Sequence, residues 1–162
     1  MPKPRGKSVS THCFVDDKHA GAKTTRISMT GILIFCNRDP IICHSKRQNG
    51  VETSTFGSEF TAMNNSVDLI AALQYKLRMF GVPIDGSTEI FCDNEAVYKS
   101  ASTPESQLRK KHHSMSYYMS REAVDSVTCR MAKEDSETNL SELFNKVRLL
   151  PSRESFLDSF TY

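Results

Sequence analysis

The sequence predicts an α/β domain, a five-stranded mixed β-sheet flanked by α-helices in the order β-β-β-α-β-α-α-β-α. Three observations carry that expectation. Phe56, Phe60, Met63, Val67, Ile70 and Leu77 recur at spacings of three, four and seven, the mark of a long amphipathic helix. Before it, short apolar runs flank a turn cluster, Asn37-Arg38-Asp39-Pro40, as in a hairpin. After it, short apolar runs alternate with helical stripes, which favours a sheet with helices on its faces.

Residues 1–10 carry two prolines and three basic side chains with almost nothing to bury, and are expected to be an extended basic arm or linker. The run HCFVD (12–16) is a first strand that ends in acids, TGILIF (30–35) a second, and PIICH (40–44) opens a third. The long helix stops near Gly81-Val82-Pro83, where a helix-ending glycine precedes a residue that cannot continue the ladder. EIFCD (89–93) is a fourth strand, again ending in an acid, and a short helix follows from Asn94. Leu108, His112, Met115, Met119 and Ala123 share one helical face, VTCRMA (127–132) is a fifth strand, and Leu140, Leu143, Phe144 and Val147 form a last stripe. One domain over 11–150 and a tail over 151–162 complete the expected organisation.

At 162 residues and 38% hydrophobic composition the chain can bury one sizeable core but not two. Its net charge of +2 balances 21 basic against 19 acidic side chains, so bulk charge singles out no partner. Basic residues nevertheless cluster at Lys46-Arg47 and at Arg109-Lys110-Lys111 followed by His112-His113. The five cysteines, Cys13, Cys36, Cys43, Cys92 and Cys129, lack metal-ligand spacing and are expected to be reduced core residues. No apolar run reaches the roughly 18 residues of a membrane helix, and no secretory hydrophobic region is present, so a cytoplasmic or nuclear protein without a membrane partner is expected.

Three carboxylates stand out by position. Asp16 and Asp93 end predicted strands, where open α/β sheets place their ligands, and they converge if those strands are parallel neighbours. Glu59 lies three residues after Phe56 and four before Met63, on the flank of the stripe that must face the sheet. Each has a plain structural alternative: Asp93 as a helix cap, Asp16-Asp17 as turn residues, Glu59 reaching water from the helix edge. Together they point to a crowded acidic centre that resists full ionisation without a cation, and Mg²⁺ suits an all-oxygen ligand set that leaves room for phosphate.

Five segments in order carry a family resemblance. FVDDKHAG (14–21), SKRQNGVETSTFGSEF (45–60), FCDNEA (91–96), KHHSMSYYMSRE (111–122) and AKEDSETNLSELFNK (132–146) resemble segments of the ribonuclease H domain in copia-type retrotransposon Pol polyproteins. The resemblance implies the ribonuclease H-like fold and hydrolysis of the RNA strand of RNA/DNA hybrids during reverse transcription, beside the reverse transcriptase domain of the same polyprotein. Cytoplasmic virus-like particles or the nucleus would be its workplace. Asp16, Glu59 and Asp93 match the family's catalytic, metal-holding carboxylates, and Glu142 stands at the fourth acid. Two Mg²⁺ ions, with Mn²⁺ as a substitute, clamp the scissile phosphate in such sites, one activating water and one steadying the leaving oxygen. Lys46, Arg47, Gln48, Thr55, Ser58, Asn94, Arg109, Lys110 and Lys111 are substrate-binding candidates, against phosphates or the 2′-hydroxyls that distinguish RNA. Ordinary loop and cap polarity explains each of them equally well on its own.

The sequence also departs from the family pattern. Lys18 replaces the opening motif's second aspartate, and Asp17 takes a position that is usually small and neutral. Tyr118 stands for a histidine, and Asn145 for a threonine. Glu142 replaces the fourth aspartate; with Asn139 three residues earlier it also fits a helix capping box. A copy disabled by these changes would be a catalytically impaired relic that binds nucleic acid or a polymerase partner without efficient cleavage. An integrase-like relative of the same superfamily fits less well, because a glutamate lies between the first two aspartates instead of after them.

Overall fold

The computed structural model describes residues 3, 6–19, 27–50, 54–103, 114–135 and 138–141. Its elements are β1 (Thr11–Lys18), β2 (Met29–Cys36), β3 (Asp39–Arg47), α1 (Thr55–Met79), β4 (Thr88–Cys92), α2 (Glu95–Ser102), α3 (Ser114–Asp125) and β5 (Cys129–Lys133). The sheet runs β3-β2-β1-β4-β5, antiparallel across the first three strands and parallel from β1 to β4 to β5. This is the mixed five-stranded sheet expected from the sequence. The predicted last helix, the 151–162 tail and the run 104–113 with Arg109, Lys110, Lys111 and His112 lie outside the described residues, as does Glu142.

The hairpin turns on Asn37, whose φ of 58° is left-handed, a conformation asparagine tolerates better than most residues. Its side chain accepts from the Ser10 backbone N–H at 3.0 Å, while Val9 bridges to Ile84 and donates to the Pro83 carbonyl at 2.9 Å. The expected arm therefore ends before Val9. On the edge strand β3 the register shifts between Ile34 and Phe35, opposite Pro40, which has no N–H to give the ladder. Edge position also corrects one expectation: Cys43 is exposed and Cys36 half-buried, whereas Cys13, Cys92 and Cys129 are in the core, and all five are free.

Helix α1 starts at Ser54, whose side chain accepts from the Gly57 N–H, and ends where Gly81 adopts a φ of +76°. Phe60, Met63, Val67 and Ile70 press onto Cys13, Val15, Ile32, Ile34 and Ile90. Phe56 and Leu77, at the ends of the expected stripe, are only half-buried. Between Ile70 and Leu77 the buried position is polar: Gln74 is 2% exposed. The opposite face of β1 is aromatic, with Phe14 stacked on Phe91 at 4.9 Å and edge-on to Phe35.

Candidate active site

Sheet topology brings the strand-end acids together. The β1–β4 pairing aligns Phe14 with Phe91; Asp16 and Asp93 each lie two residues further along parallel neighbours and so reach the same level at the carboxyl end of the sheet. Helix α1 crosses that end with its second turn. Asp16, Asp17, Glu59 and Asp93 line one crevice, with Val15, Ala62, Cys92 and Val97 as its apolar walls. Asp16 and Asp17 are strand residues, 4% and 6% exposed, and not part of a turn. Nor does Asp93 cap α2: Asn94 does, accepting from the N–H groups of Ala96 and Val97 at 2.8 and 3.2 Å.

Electrostatics single out Glu59. Burial, then the charge of Asp93, and further those of Asp16 and Asp17 push its carboxyl up to about 7, against the lowering effect of a hydrogen bond from Asn94. Its Oε2 is buried with no hydrogen-bond partner. A carboxylate oxygen left this way is costly unless something positive meets it. Among the described residues no group of three Asp, Glu, His or Cys side chains is closed into a metal-ligand set; the acids share a crevice without meeting at one point. In donor type, though not in their spacing, these residues suit a hard divalent cation such as Mg²⁺: all are oxygen ligands, they crowd like charges, and one buried oxygen lacks a partner.

The remaining candidates divide. Lys46 and Arg47 are exposed at the end of β3, and Thr55 is exposed at the start of α1. Gln48 and Ser58, expected to touch substrate, are instead buried. The Gln48 Nε2 lies 3.0 Å from Asp17 Oδ1, 3.0 Å from Thr30 Oγ1 and 2.7 Å from the Ser58 carbonyl. One amide thus ties β1, β2 and the residue before Glu59 to the end of β3. Ser58 turns its hydroxyl to the Thr55 carbonyl at 3.0 Å and lies 3.2 Å from His19 Nδ1. A helix that begins beneath the sheet edge must satisfy its first polar groups internally, and this is the physical reason both side chains are drawn inward.

Asn139 fits a helix cap by sequence, and the structure gives it more. Fully buried, it donates from Nδ2 to the Val15 carbonyl at 3.0 Å and accepts from the Ser141 N–H and hydroxyl at 3.1 and 2.6 Å. It fastens the chain three residues before Glu142 to the strand residue before Asp16. The sequence signal for this role was its place in the closing motif. Lys18 ends β1 and is half-buried, and Tyr118 is 68% exposed on α3, whereas its neighbour Tyr117 stacks on Phe60 at 6.3 Å.

No protein-family model matches the chain. It is 25% identical over 142 residues to the retrovirus-related Pol polyprotein from transposon RE1 of Arabidopsis thaliana, covering 88% of this chain and 10% of that protein. It is also 25% identical over 134 residues to the corresponding polyprotein from transposon TNT 1-94 of Nicotiana tabacum, covering 83% and 10%. The chain thus spans about a tenth of the length of the curated relatives it matches. Among solved structures, the N-terminal RNase H domain of a Mycobacterium tuberculosis protein superposes with a TM-score of 0.62 at 8% identity, covering 94% of this chain and 99% of that one. RNase H1 of Halobacterium salinarum gives 0.58 at 12%, covering 82% and 90%. LC11-RNase H1 in complex with RNA/DNA hybrid gives 0.59 at 11%, covering 85% and 93%. The chain's homologues are therefore retrovirus-related Pol polyproteins of copia-type transposons, and its fold is that of ribonuclease H domains.

Proposed function

We propose that this chain is a divalent-metal-dependent ribonuclease H that hydrolyses the RNA strand of RNA/DNA hybrids, working beside a reverse transcriptase domain during retrotransposon reverse transcription, in the cytoplasm or nucleus. The observation that carries the reading is the unpartnered, buried Oε2 of Glu59 in a crevice shared with Asp16 and Asp93. Three acids crowded this way destabilise the bare protein and stabilise a bound cation. Asp16, Glu59 and Asp93 would hold Mg²⁺, with Mn²⁺ as a substitute, and Glu142 would add the fourth carboxylate. Held by these residues, a bound cation would supply positive charge at the scissile phosphate and lower the pKa of water.

The protein's own contribution is placement. β1 and β4 set the level of Asp16 and Asp93, Asn94 holds one side of Glu59, and the Gln48 amide fixes where α1 meets the sheet. The apolar walls Val15, Ala62 and Val97 limit water around the acids, which strengthens each electrostatic contact. Thr55 and the run Arg109, Lys110 and Lys111 remain candidates for contacts to the nucleic-acid backbone. No described helix is long and apolar enough to cross a membrane.

The test is cleavage of a labelled RNA/DNA hybrid with and without Mg²⁺. Mg²⁺-dependent cuts confined to the RNA strand are expected, faster in Glu142→Asp, whose shorter arm restores the family's usual reach. The half-buried cation of Lys18, next to Asp17, favours a second reading, the impaired domain that binds without cutting. Binding without cleavage in both proteins would select it.

A further inference from the structure

On the other flank of α1 lies a groove of about 350 Å³ that the acidic site does not use. Its walls are the end of β3 with the following loop, contributing His44, Lys46, Arg47 and Asn49, and the outer side of α1, contributing Thr61 and Asn65. Asp68 also lines it and lies nine residues after Glu59, two and a half helical turns, so the groove and the acids are on opposite sides of the helix. Lys46 and Arg47 are exposed, and neither is ion-paired with a described residue. Gln48, 7% exposed, closes the floor; its Nε2 is directed to Asp17, Thr30 and Ser58, leaving the buried Oε1 without a partner.

We propose that this groove is a second nucleic-acid contact, seating phosphodiester groups between Lys46 and Arg47 on one side and the Thr61 and Asn65 side chains on the other. The inference rests on the reading of the acidic crevice only for the identity of the polymer. The chemistry is local. Two cations with no ion pair among the described residues are set beside neutral hydrogen-bonding side chains in a concave channel, which suits a repeating anion that is gripped by charge and oriented by hydroxyl and amide groups. Asp68 opposes them at the rim and tunes the affinity downwards. A strand crossing the first turns of α1 would be held on both sides of the helix, so the groove sets register without touching the reacting bond.

The experiment measures binding of an RNA/DNA hybrid by fluorescence anisotropy in chelator, without metal, across a salt series. Each lost phosphate contact flattens log Kd against log[salt] by about 0.9, so the Lys46→Ala/Arg47→Ala double variant should flatten it by about two. Lys99→Ala, which removes one exposed charge on α2, should not approach that change. Asp68→Asn should tighten binding and steepen the slope, more than Asp125→Asn at the far end of α3, although both add the same net charge. An unchanged slope in the double variant, or equal effects of Asp68→Asn and Asp125→Asn, overturns the groove as a site. Cleavage is read separately in Mg²⁺. A protein with the expected salt behaviour that never cuts keeps the groove and loses the nuclease reading; one that cuts with an unaltered slope in the double variant does the reverse.

Discussion

Helix α1 meets the sheet through two buried polar clusters, one at each end, and they are built on opposite principles. At the amino end of β1 and β4 the buried members of the cluster are neutral and satisfied. Gln74 donates to the Thr88 hydroxyl at 2.9 Å and the Thr128 carbonyl at 2.8 Å and accepts from Arg78, while Thr11 and Thr88 share a hydrogen bond. At the carboxyl end Asp16, Asp17, Glu59 and Asp93 crowd one crevice, and Glu59 keeps an oxygen with no partner. The same helix and the same two strands frame both. A satisfied neutral network adds stability and asks for nothing more, whereas an acidic one stores unfavourable energy that a cation releases. The difference separates what the fold needs for itself from what, on the proposed reading, it would hold ready for a cation.

That contrast breaks most sharply at Asp93. Asp93→Asn removes a carboxylate and one of the repulsions on Glu59, so hybrid cleavage should fall by at least about 10²-fold, the scale of a misplaced catalytic group. The thermal melt of the metal-free protein should hold or rise, because activity and stability draw on opposite features here. A variant that loses activity by melting early would contradict the contrast.

At the other end the expectation reverses. Gln74→Ala removes the amide donor to the Thr88 hydroxyl and the Thr128 carbonyl, which keep only the Thr11 hydroxyl and the Thr88 N–H, and opens a void, for a loss of about 2–4 kcal/mol in urea denaturation. Turnover well below the melt should be unchanged, and a specific loss of turnover would mean that the two clusters communicate. Gln48→Leu sits between them in kind. Removing the amide that joins Asp17, Thr30 and Ser58 should cost about 1–3 kcal/mol and lower kcat more than it raises KM, since the amide fixes α1 directly beneath Glu59 and supports the groove across the helix only through its floor. Equal effects on kcat and KM would point instead to lost substrate contact.

The last effect is a pH dependence, reduced by solvent screening because Glu59 is only half-buried. Glu59, raised from 4.5 to about 7, keeps in the folded protein a proton that the unfolded chain releases earlier. Stability of the metal-free protein is therefore full below the lower value, declines as pH rises through that interval and levels off above it. Glu59→Gln should remove this decline, and added Mg²⁺ should offset it most at the alkaline end. A metal-free melt that climbs between these pH values would refute the crowding of the acids.

Much of this was legible in one dimension. The stripe from Phe56 to Leu77 specifies α1, because a helix repeats every 3.6 residues and must cover a sheet. The strand-ending acids Asp16 and Asp93 were visible because apolar runs seldom close on a carboxylate. Less legible were Gln48 and Ser58. Both lie in a polar segment that reads as surface, and only the packing of α1 against β1 and β2 turns them inward. Gln74 interrupts the stripe without a signal of its own, since a buried amide is recognisable only by the partners that satisfy it. The neighbours of Asn139 suggest only a cap, while its bond to the Val15 carbonyl spans 124 residues.

The sequence by itself determined the elements from β1 to β5, their order and which acids line the crevice among the described residues, because periodicity, turn chemistry and motif order are local properties of the chain. The tertiary structure alone decided that β1 and β4 are parallel neighbours, that Asp16 and Asp93 come level, that Glu59 is left with an unpartnered oxygen, and that Lys46 and Arg47 border a groove across the helix. Those are distances between residues far apart in the chain. They follow from how strands pair and where a helix docks, which no local pattern encodes.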